Sequence, residues 1–186
     1  MRLPRLILGL IVLAAFFFGC SGKSGGESRQ GSAARGAASG EKAISVERLD
    51  EAGLKRMIQN REGKVLLLNV WATWCAPCVE EFPDIARLSQ SYDSKTLEVV
   101  AVSADYPDEV DSKIIPFLKK QNVSFRVYVA KFDDQEDFIN ALDPTWNGAL
   151  PATLIYDRHG RQRFFHVGQQ TYEQFKDAVD KVEGGS

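Results

Sequence analysis

The chain has 186 residues, of which 44% are hydrophobic and 26% are charged, so it has enough apolar side chains for one globular domain. Its formal net charge of -2 gives no electrostatic reason to expect a nucleic-acid partner. Only three cysteines are present, and two of them lie close together, which excludes a small domain held together by many disulfides.

Residues 1–20 are typical of a targeting segment. Two arginines precede an apolar stretch, Leu6 to Phe18, that is shorter than the roughly 20 residues needed to span a membrane. The stretch ends at Gly19 and Cys20 and resembles a bacterial lipoprotein signal, in which such a cysteine is lipidated and becomes the first mature residue. The alternative is an uncleaved helix with Cys20 as an ordinary thiol. Both interpretations predict a folded part that lies outside the cytoplasm and is tethered to a membrane.

Residues 21–42 are rich in glycine, serine and alanine, a composition that cannot build a hydrophobic core. We therefore expect a flexible linker there and a folded domain over residues 43–184. At the start of the domain, apolar residues at near-helical spacing predict a first helix over Val46–Asn60. A continuous apolar run then predicts a buried strand over Val65–Trp71.

The remaining patterns predict strands that alternate with helices. Helices are expected over Cys78–Tyr92, Pro107–Gln121, Gln135–Leu142 and Tyr172–Val182, and strands over Leu97–Ala104, Phe125–Val129, Ala152–Tyr156 and Gln162–Val167. The last two strands flank a turn and form a hairpin. This order predicts an α/β fold with a central mixed sheet flanked by helices.

Two cysteines, Cys75 and Cys78, directly follow the strand predicted over Val65–Trp71 and open the next helix. A thiol in the first turn of a helix lies near unpaired N–H groups and the positive end of the helix dipole, which favour its thiolate. A thiolate with a second thiol nearby can attack a disulfide, form a mixed disulfide and then release the reduced substrate. This exchange requires no metal and no organic cofactor.

The segment Trp71-Ala72-Thr73-Trp74-Cys75-Ala76-Pro77-Cys78, followed by Glu81-Phe82-Pro83, resembles the TlpA/ResA branch of exported thioredoxin-fold proteins. The resemblance implies a thioredoxin fold in which a strand and a helix, over Phe125–Leu142, are inserted before a cis proline at Pro151. It also implies that Cys75 is the exposed nucleophile and that Cys78 is the buried resolving thiol.

The same resemblance implies where a substrate binds. A cis peptide between Leu150 and Pro151 would lie against the cysteine pair and let the Leu150 backbone pair with an extended substrate segment. Trp74, next to the nucleophile, would shape the docking surface. We assign Trp71 to the hydrophobic core.

Glu81 lies one helical turn after Cys78, and TlpA/ResA relatives carry a glutamate at this place that is thought to assist proton transfer. A carboxyl with a raised pKa could accept the Cys78 proton when the mixed disulfide is resolved. The alternative is a solvated acid near the helix start, like Glu80. Ordinary thioredoxins carry a buried aspartate where this chain has Asn69, which makes Glu81 the better candidate proton acceptor.

The sequence therefore predicts a membrane-tethered, extracytoplasmic thiol–disulfide oxidoreductase. Ala76 and Pro77 add no positive charge between the cysteines, so we expect a reductant or a mildly poised exchanger rather than a strong oxidant. By resemblance, its substrates are protein disulfides, such as those of apocytochrome c, and a membrane protein of the DsbD or CcdA type supplies electrons.

A non-catalytic copper carrier is the alternative function, because paired thiols with His166 could hold that metal. A structural zinc site would need two further ligands beyond the cysteine pair, and the chain has no second cysteine pair. We therefore expect no resident metal.

Overall fold

The computed structural model describes residues 44–185, so the predicted targeting segment with Cys20 and the predicted linker lie outside the described residues. The strands are β1 (Val46–Leu49), β2 (Val65–Trp71), β3 (Leu97–Ser103), β4 (Arg126–Ala130), β5 (Ala152–Tyr156) and β6 (Gln162–Val167). The helices are α1 (Glu51–Gln59), α2 (Ala76–Ser91), α3 (Ile115–Lys120), α4 (Gln135–Leu142) and α5 (Tyr172–Gly184).

The six strands form one mixed sheet in the order β1-β4-β3-β2-β5-β6. Strand β2 is buried along its whole length and pairs parallel with β3 and antiparallel with β5. Because β2 and β3 run in the same direction, their carboxyl ends meet at one edge of the sheet, and α2 begins there. The predicted α/β fold with a central mixed sheet is confirmed.

Side chains of β2 alternate between two hydrophobic clusters, as the pleat of a strand requires. One cluster lies on the face covered by α1 and α4 and contains Leu54, Leu66, Leu68 and Phe138. The other lies on the face covered by α2 and α5 and contains Val65, Leu67, Ile85 and Phe175. The sheet is therefore covered on both faces, which explains why every residue of β2 except Asn69 is apolar.

The predicted strand and helix insertion is also confirmed. Strand β4 lies between β1 and β3 and pairs parallel with both, and α4 follows it along the chain. The predicted hairpin is present as the antiparallel pair β5 and β6. Helix α4 has the bounds that its apolar spacing predicts.

The prediction of a helix over Val46–Asn60 is wrong for its first residues. Val46–Leu49 forms an edge strand that pairs with β4, so a tertiary contact overrides the local helical spacing. The helix begins only after Asp50, whose carboxylate caps it by accepting a 2.7 Å hydrogen bond from Gly53 N.

The predicted helix over Pro107–Gln121 is divided into three pieces. A 3₁₀ turn (Pro107–Glu109) and a π-helical segment (Val110–Ile114) precede α3. Pro116 lies in the first turn of α3, where its missing N–H is tolerated.

Within residues 44–185, no helix combines the length and apolar character that a membrane crossing requires.

Candidate active site

The cysteine pair lies at the start of α2. Cys75 is the N-cap residue of α2, and Cys78 lies in its first turn. The two residues are joined by a disulfide, with their Cα atoms 5.3 Å apart. Cys78 N donates a hydrogen bond to Cys75 Sγ at 3.3 Å, so a helix N–H group is directed at this sulfur. This is the geometry that favours a thiolate when the pair is reduced.

The two cysteines differ in exposure in the order that the resemblance implies. Cys78 is completely buried, whereas Cys75 is 6% exposed. Cys75 is less open than we expected of an exposed nucleophile, because the disulfide packs into a hydrophobic cluster that contains Trp71 and Phe82. Trp74, immediately before Cys75, is 66% exposed and is the most accessible large side chain next to the pair.

Trp71 belongs to the core, as predicted. Its ring is fully buried and lies 4.5 Å from the ring of Phe82 and 4.9 Å from that of Phe117. Trp146 is also buried, and its Nε1 donates a 2.9 Å hydrogen bond to the carbonyl of Ala149. The exposed Trp74 is therefore the tryptophan that a substrate can reach.

The Leu150–Pro151 peptide bond is cis, as expected. The Pro151 carbonyl accepts a 2.8 Å hydrogen bond from Gly168 N, and the side chain of Leu150 packs against the cluster that contains both cysteines. The structure therefore packs Leu150 against the hydrophobic cluster to which the disulfide belongs. Within residues 44–185, neither the N–H nor the C=O of Leu150 forms a hydrogen bond.

Glu81 is buried, which contradicts the alternative of a solvated acid. Its carboxyl accepts two hydrogen bonds of 2.9 Å, one at Oε1 from Asn69 Nδ2 and one at Oε2 from Gln170 N. Burial raises the pKa of Glu81 to about 7, although both hydrogen bonds favour the ionised form. Glu81 is thus a carboxyl that can gain or lose a proton near neutral pH.

Sequence reasoning missed the contact between Asn69 and Glu81. Asn69 lies in the middle of β2, is fully buried and also donates a 3.2 Å hydrogen bond to Thr153 Oγ1 of β5. A polar residue inside a continuous apolar strand needs a buried partner, and this signal was present in the sequence. Two buried polar atoms nearby, Asn69 Oδ1 and Gln170 Nε2, have no partner within the described residues.

Asp105 is a second buried acid that sequence reasoning missed. It follows the carboxyl end of β3 and accepts hydrogen bonds from Thr73, which lies just before the cysteine pair.

His166, which the copper alternative requires, lies on β6 opposite Thr153, with its ring stacked on Phe164. Among residues 44–185, no cluster of three or more histidine, cysteine or acidic side chains forms a candidate metal site.

Comparison with known proteins agrees with this geometry. Residues 39–164 match the AhpC/TSA family. The thioredoxin-like protein YneN of Bacillus subtilis (strain 168) is 31% identical over 129 residues, which cover 69% of this chain and 71% of that protein. The thiol-disulfide oxidoreductase ResA of Bacillus anthracis is 30% identical over 133 residues, or 72% of each chain.

Solved structures show the same fold. A Chlorobium tepidum protein described as a putative thiol:disulfide interchange protein DsbE is 28% identical, with a TM-score of 0.54 over 67% of this chain and 84% of that chain. A thioredoxin-related protein from Neisseria meningitidis serogroup B is 25% identical, with a TM-score of 0.56 over 66% of this chain and 86% of that chain. The chain therefore belongs to the AhpC/TSA family and is a thioredoxin-fold thiol–disulfide oxidoreductase similar to ResA.

Proposed function

We propose that the protein reduces disulfides of exported proteins through the dithiol form of Cys75 and Cys78. The observation that carries this proposal is the position of the pair at the start of α2, where Cys75 Sγ accepts the N–H of Cys78. Residues 76 and 77 are alanine and proline and place no positive charge between the cysteines. This favours a reductant over a strong oxidant, because strong oxidants of this kind stabilise the reduced thiolate heavily.

The exchange proceeds in two steps. In the first, the Cys75 thiolate attacks one sulfur of the substrate disulfide, a bond forms between Cys75 and that sulfur, and the other substrate sulfur leaves as a thiolate. In the second, the Cys78 thiolate attacks Cys75 Sγ, the substrate sulfur that was bonded to Cys75 leaves as a thiolate, and the protein is left with its own disulfide. Two electrons have then passed from the protein to the substrate.

Glu81 takes the proton that Cys78 must lose before the second step. It lies one helical turn after Cys78, is shielded from solvent, and has a pKa raised to about 7 by burial. A base with a pKa close to the working pH is efficient in both accepting and returning a proton. Glu81 can therefore act in both directions of the exchange.

The substrate binds as an extended segment beside the disulfide. The backbone groups of Leu150 are available for pairing, and such main-chain hydrogen bonds give affinity with little demand on the substrate sequence. Trp74 supplies an exposed aromatic surface next to Cys75. Apocytochrome c thiols, in cytochrome c maturation, are the substrate class that the resemblance to the TlpA/ResA branch favours, with a DsbD- or CcdA-type membrane protein as electron donor.

Capture of the mixed disulfide tests this function. In the full chain, Cys78→Ser should accumulate a covalent adduct with substrate protein that dithiothreitol releases, whereas Cys75→Ser should form none. The reduced wild-type protein should also reduce insulin disulfides without added metal. Tight copper(I) binding without any disulfide exchange, or equal adducts from both variants, would contradict the proposal.

We further propose that the protein acts outside the cytoplasm and is anchored through a lipid on Cys20, with residues 21–42 as a linker. Cys20→Ala should move the protein from the membrane fraction to the soluble fraction, while Cys75→Ser should leave it in the membrane fraction. Equal membrane association of the two variants would contradict lipidation of Cys20.

A further inference from the structure

We propose that Asp105 is a positioning residue that holds the loop before Cys75 in the geometry required for disulfide exchange. The proposal rests on the proposed function of Cys75 as the nucleophile. Asp105 does not act on the sulfur directly, because its hydrogen bonds go to residues 73 and 103. It acts through Thr73, which lies two positions before Cys75 in the sequence.

The Asp105 carboxylate is satisfied by three donors from two segments. Its Oδ1 accepts a 2.5 Å hydrogen bond from Thr73 Oγ1, and its Oδ2 accepts one of 2.9 Å from Thr73 N and one of 2.5 Å from Ser103 Oγ. Asp105 N also donates to Ser103 Oγ at 3.0 Å. The residue is only 3% exposed.

Because Asp105 is buried, its carboxylate depends on these hydrogen bonds. A buried carboxylate is tolerated when donors satisfy it, and hydrogen bonds to an ionised acceptor are stronger than neutral ones. Two of the three donors belong to Thr73, so the carboxylate holds both the backbone and the side chain of that residue. The conformation of Thr73 is therefore tied to the carboxyl end of β3.

The same loop determines where Cys75 lies. Ala104 N donates to the Trp71 carbonyl at 2.8 Å, so the segment that follows β3 holds the loop at its beginning as well as at Thr73. Cys75 N donates to the Ala72 carbonyl at 3.2 Å, which places Cys75 at the N-terminus of α2. If Thr73 is released, Cys75 Sγ loses its fixed position near the N–H of Cys78, and the thiolate loses part of its stabilisation.

Two substitutions of Thr73 test the proposal. Thr73→Val has a similar shape but lacks the hydroxyl, whereas Thr73→Ser keeps it. The measurement is the alkylation rate of Cys75 in the reduced full chain as a function of pH, resolved by mass spectrometry. Thr73→Val should slow alkylation near pH 7 by about tenfold and move the midpoint of the profile up by about one pH unit. Thr73→Ser should stay within about twofold of wild type.

Asp105→Asn separates positioning from a charge effect. If the carboxylate acted only through its negative charge, its removal would favour the Cys75 thiolate and speed alkylation. Positioning predicts slower alkylation, because an amide cannot accept all three hydrogen bonds in the same way. The variant should also lower kcat for insulin reduction more than it raises KM.

Several results would overturn the proposal. An unchanged or faster alkylation profile in Thr73→Val would do so even if Asp105→Asn failed to fold. A lower unfolding temperature with an unchanged profile would show a structural role only. Because alkylation needs no substrate, the profile can be interpreted even if the wild-type protein fails to reduce insulin, so failure of the proposed function is seen separately.

Discussion

Asn69 Nδ2 donates a 2.9 Å hydrogen bond to Glu81 Oε1, which joins β2 to α2, the helix that contains Cys78. An amide suits a carboxyl that changes its protonation state, because its nitrogen can donate to the carboxylate and its oxygen can accept from the carboxylic acid. Asn69 Oδ1 has no partner within the described residues and is available for the second role. The pair can therefore accommodate both states of Glu81.

Stability of the oxidised protein should depend on pH through Glu81. Burial raises the pKa of Glu81 from an ordinary 4.5 to about 7, so the folded protein holds this proton more tightly than the unfolded chain does. The stability linked to the proton is complete below the unfolded pKa and is lost as pH rises through the folded pKa. Relative to Glu81→Gln, the free energy of unfolding of the wild type should fall by roughly 3 kcal/mol between about pH 4 and pH 9.

Urea unfolding of both oxidised proteins across this range measures the difference. Because Glu81→Gln lacks only this titrating group, the contributions of other ionisable groups cancel in the comparison. A constant difference between the two proteins at every pH would show that Glu81 does not have a raised pKa.

Asn69→Asp should introduce a repulsive pair. A second carboxylate at hydrogen-bond distance from Glu81 cannot be ionised at the same time without a large energetic penalty. We expect a loss of about 3 kcal/mol in the free energy of unfolding near pH 8 and a much smaller loss near pH 4, where the carboxyls are protonated. Asn69→Ala is the control, because it removes the hydrogen bond that favours ionised Glu81 without adding charge, and its loss should grow less between pH 4 and pH 8 than that of Asn69→Asp. Equal losses in Asn69→Asp at both pH values would argue against the repulsion.

Trp71 should contribute mainly to stability, and Trp74 should contribute mainly to substrate binding. Trp71→Ala removes a fully buried ring and should lower the free energy of unfolding by about 3–5 kcal/mol. Trp74→Ala removes a 66% exposed ring and should change stability by less than about 0.5 kcal/mol. It should nevertheless raise KM for insulin, because this exposed residue directly precedes the nucleophile in the sequence. Unfolding curves and insulin reduction are the two measurements, and a large loss of stability in Trp74→Ala would contradict its assignment to the surface.

Gly160→Ala should be more destabilising than Gly63→Ala. Both glycines have a positive φ, +77° and +79°, at which a side chain costs roughly 1–2 kcal/mol. At Gly160 a Cβ would also lie 2.6 Å from the carbonyl oxygen of Ile58, whereas at Gly63 nothing lies within 4 Å. Unfolding free energies of the two variants measure the contribution of this close approach. Equal losses would show that the backbone at Gly160 moves easily.

Local patterns in the sequence predicted most of the fold. The apolar run of β2, the helical spacing of α4 and the hairpin of β5 and β6 all follow from interactions between near neighbours in the chain. Strand β1 could not be predicted in this way. It has only four residues, and its conformation depends on pairing with β4, which lies far away in the sequence.

The candidate site shows the same limit. The spacing of Cys75 and Cys78 is local and predicts a reactive dithiol. The resemblance to the TlpA/ResA branch implies the roles of Pro151 and Glu81. The partners of Glu81 and Asp105 were not predictable, because Asn69 contacts Glu81, and Thr73 contacts Asp105, only after separate elements pack together. Hydrophobic periodicity contains no information on which buried polar groups pair.

The insertion places β4 between β1 and β3, and the segment that follows α4 leads to the cis proline. The ring of Trp146, just after α4, packs on Phe138 of that helix and holds the carbonyl of Ala149. Ala149 directly precedes Leu150, where a substrate chain would pair. A substitution in α4 that displaces the ring of Trp146 would therefore also displace the Ala149 carbonyl next to Leu150.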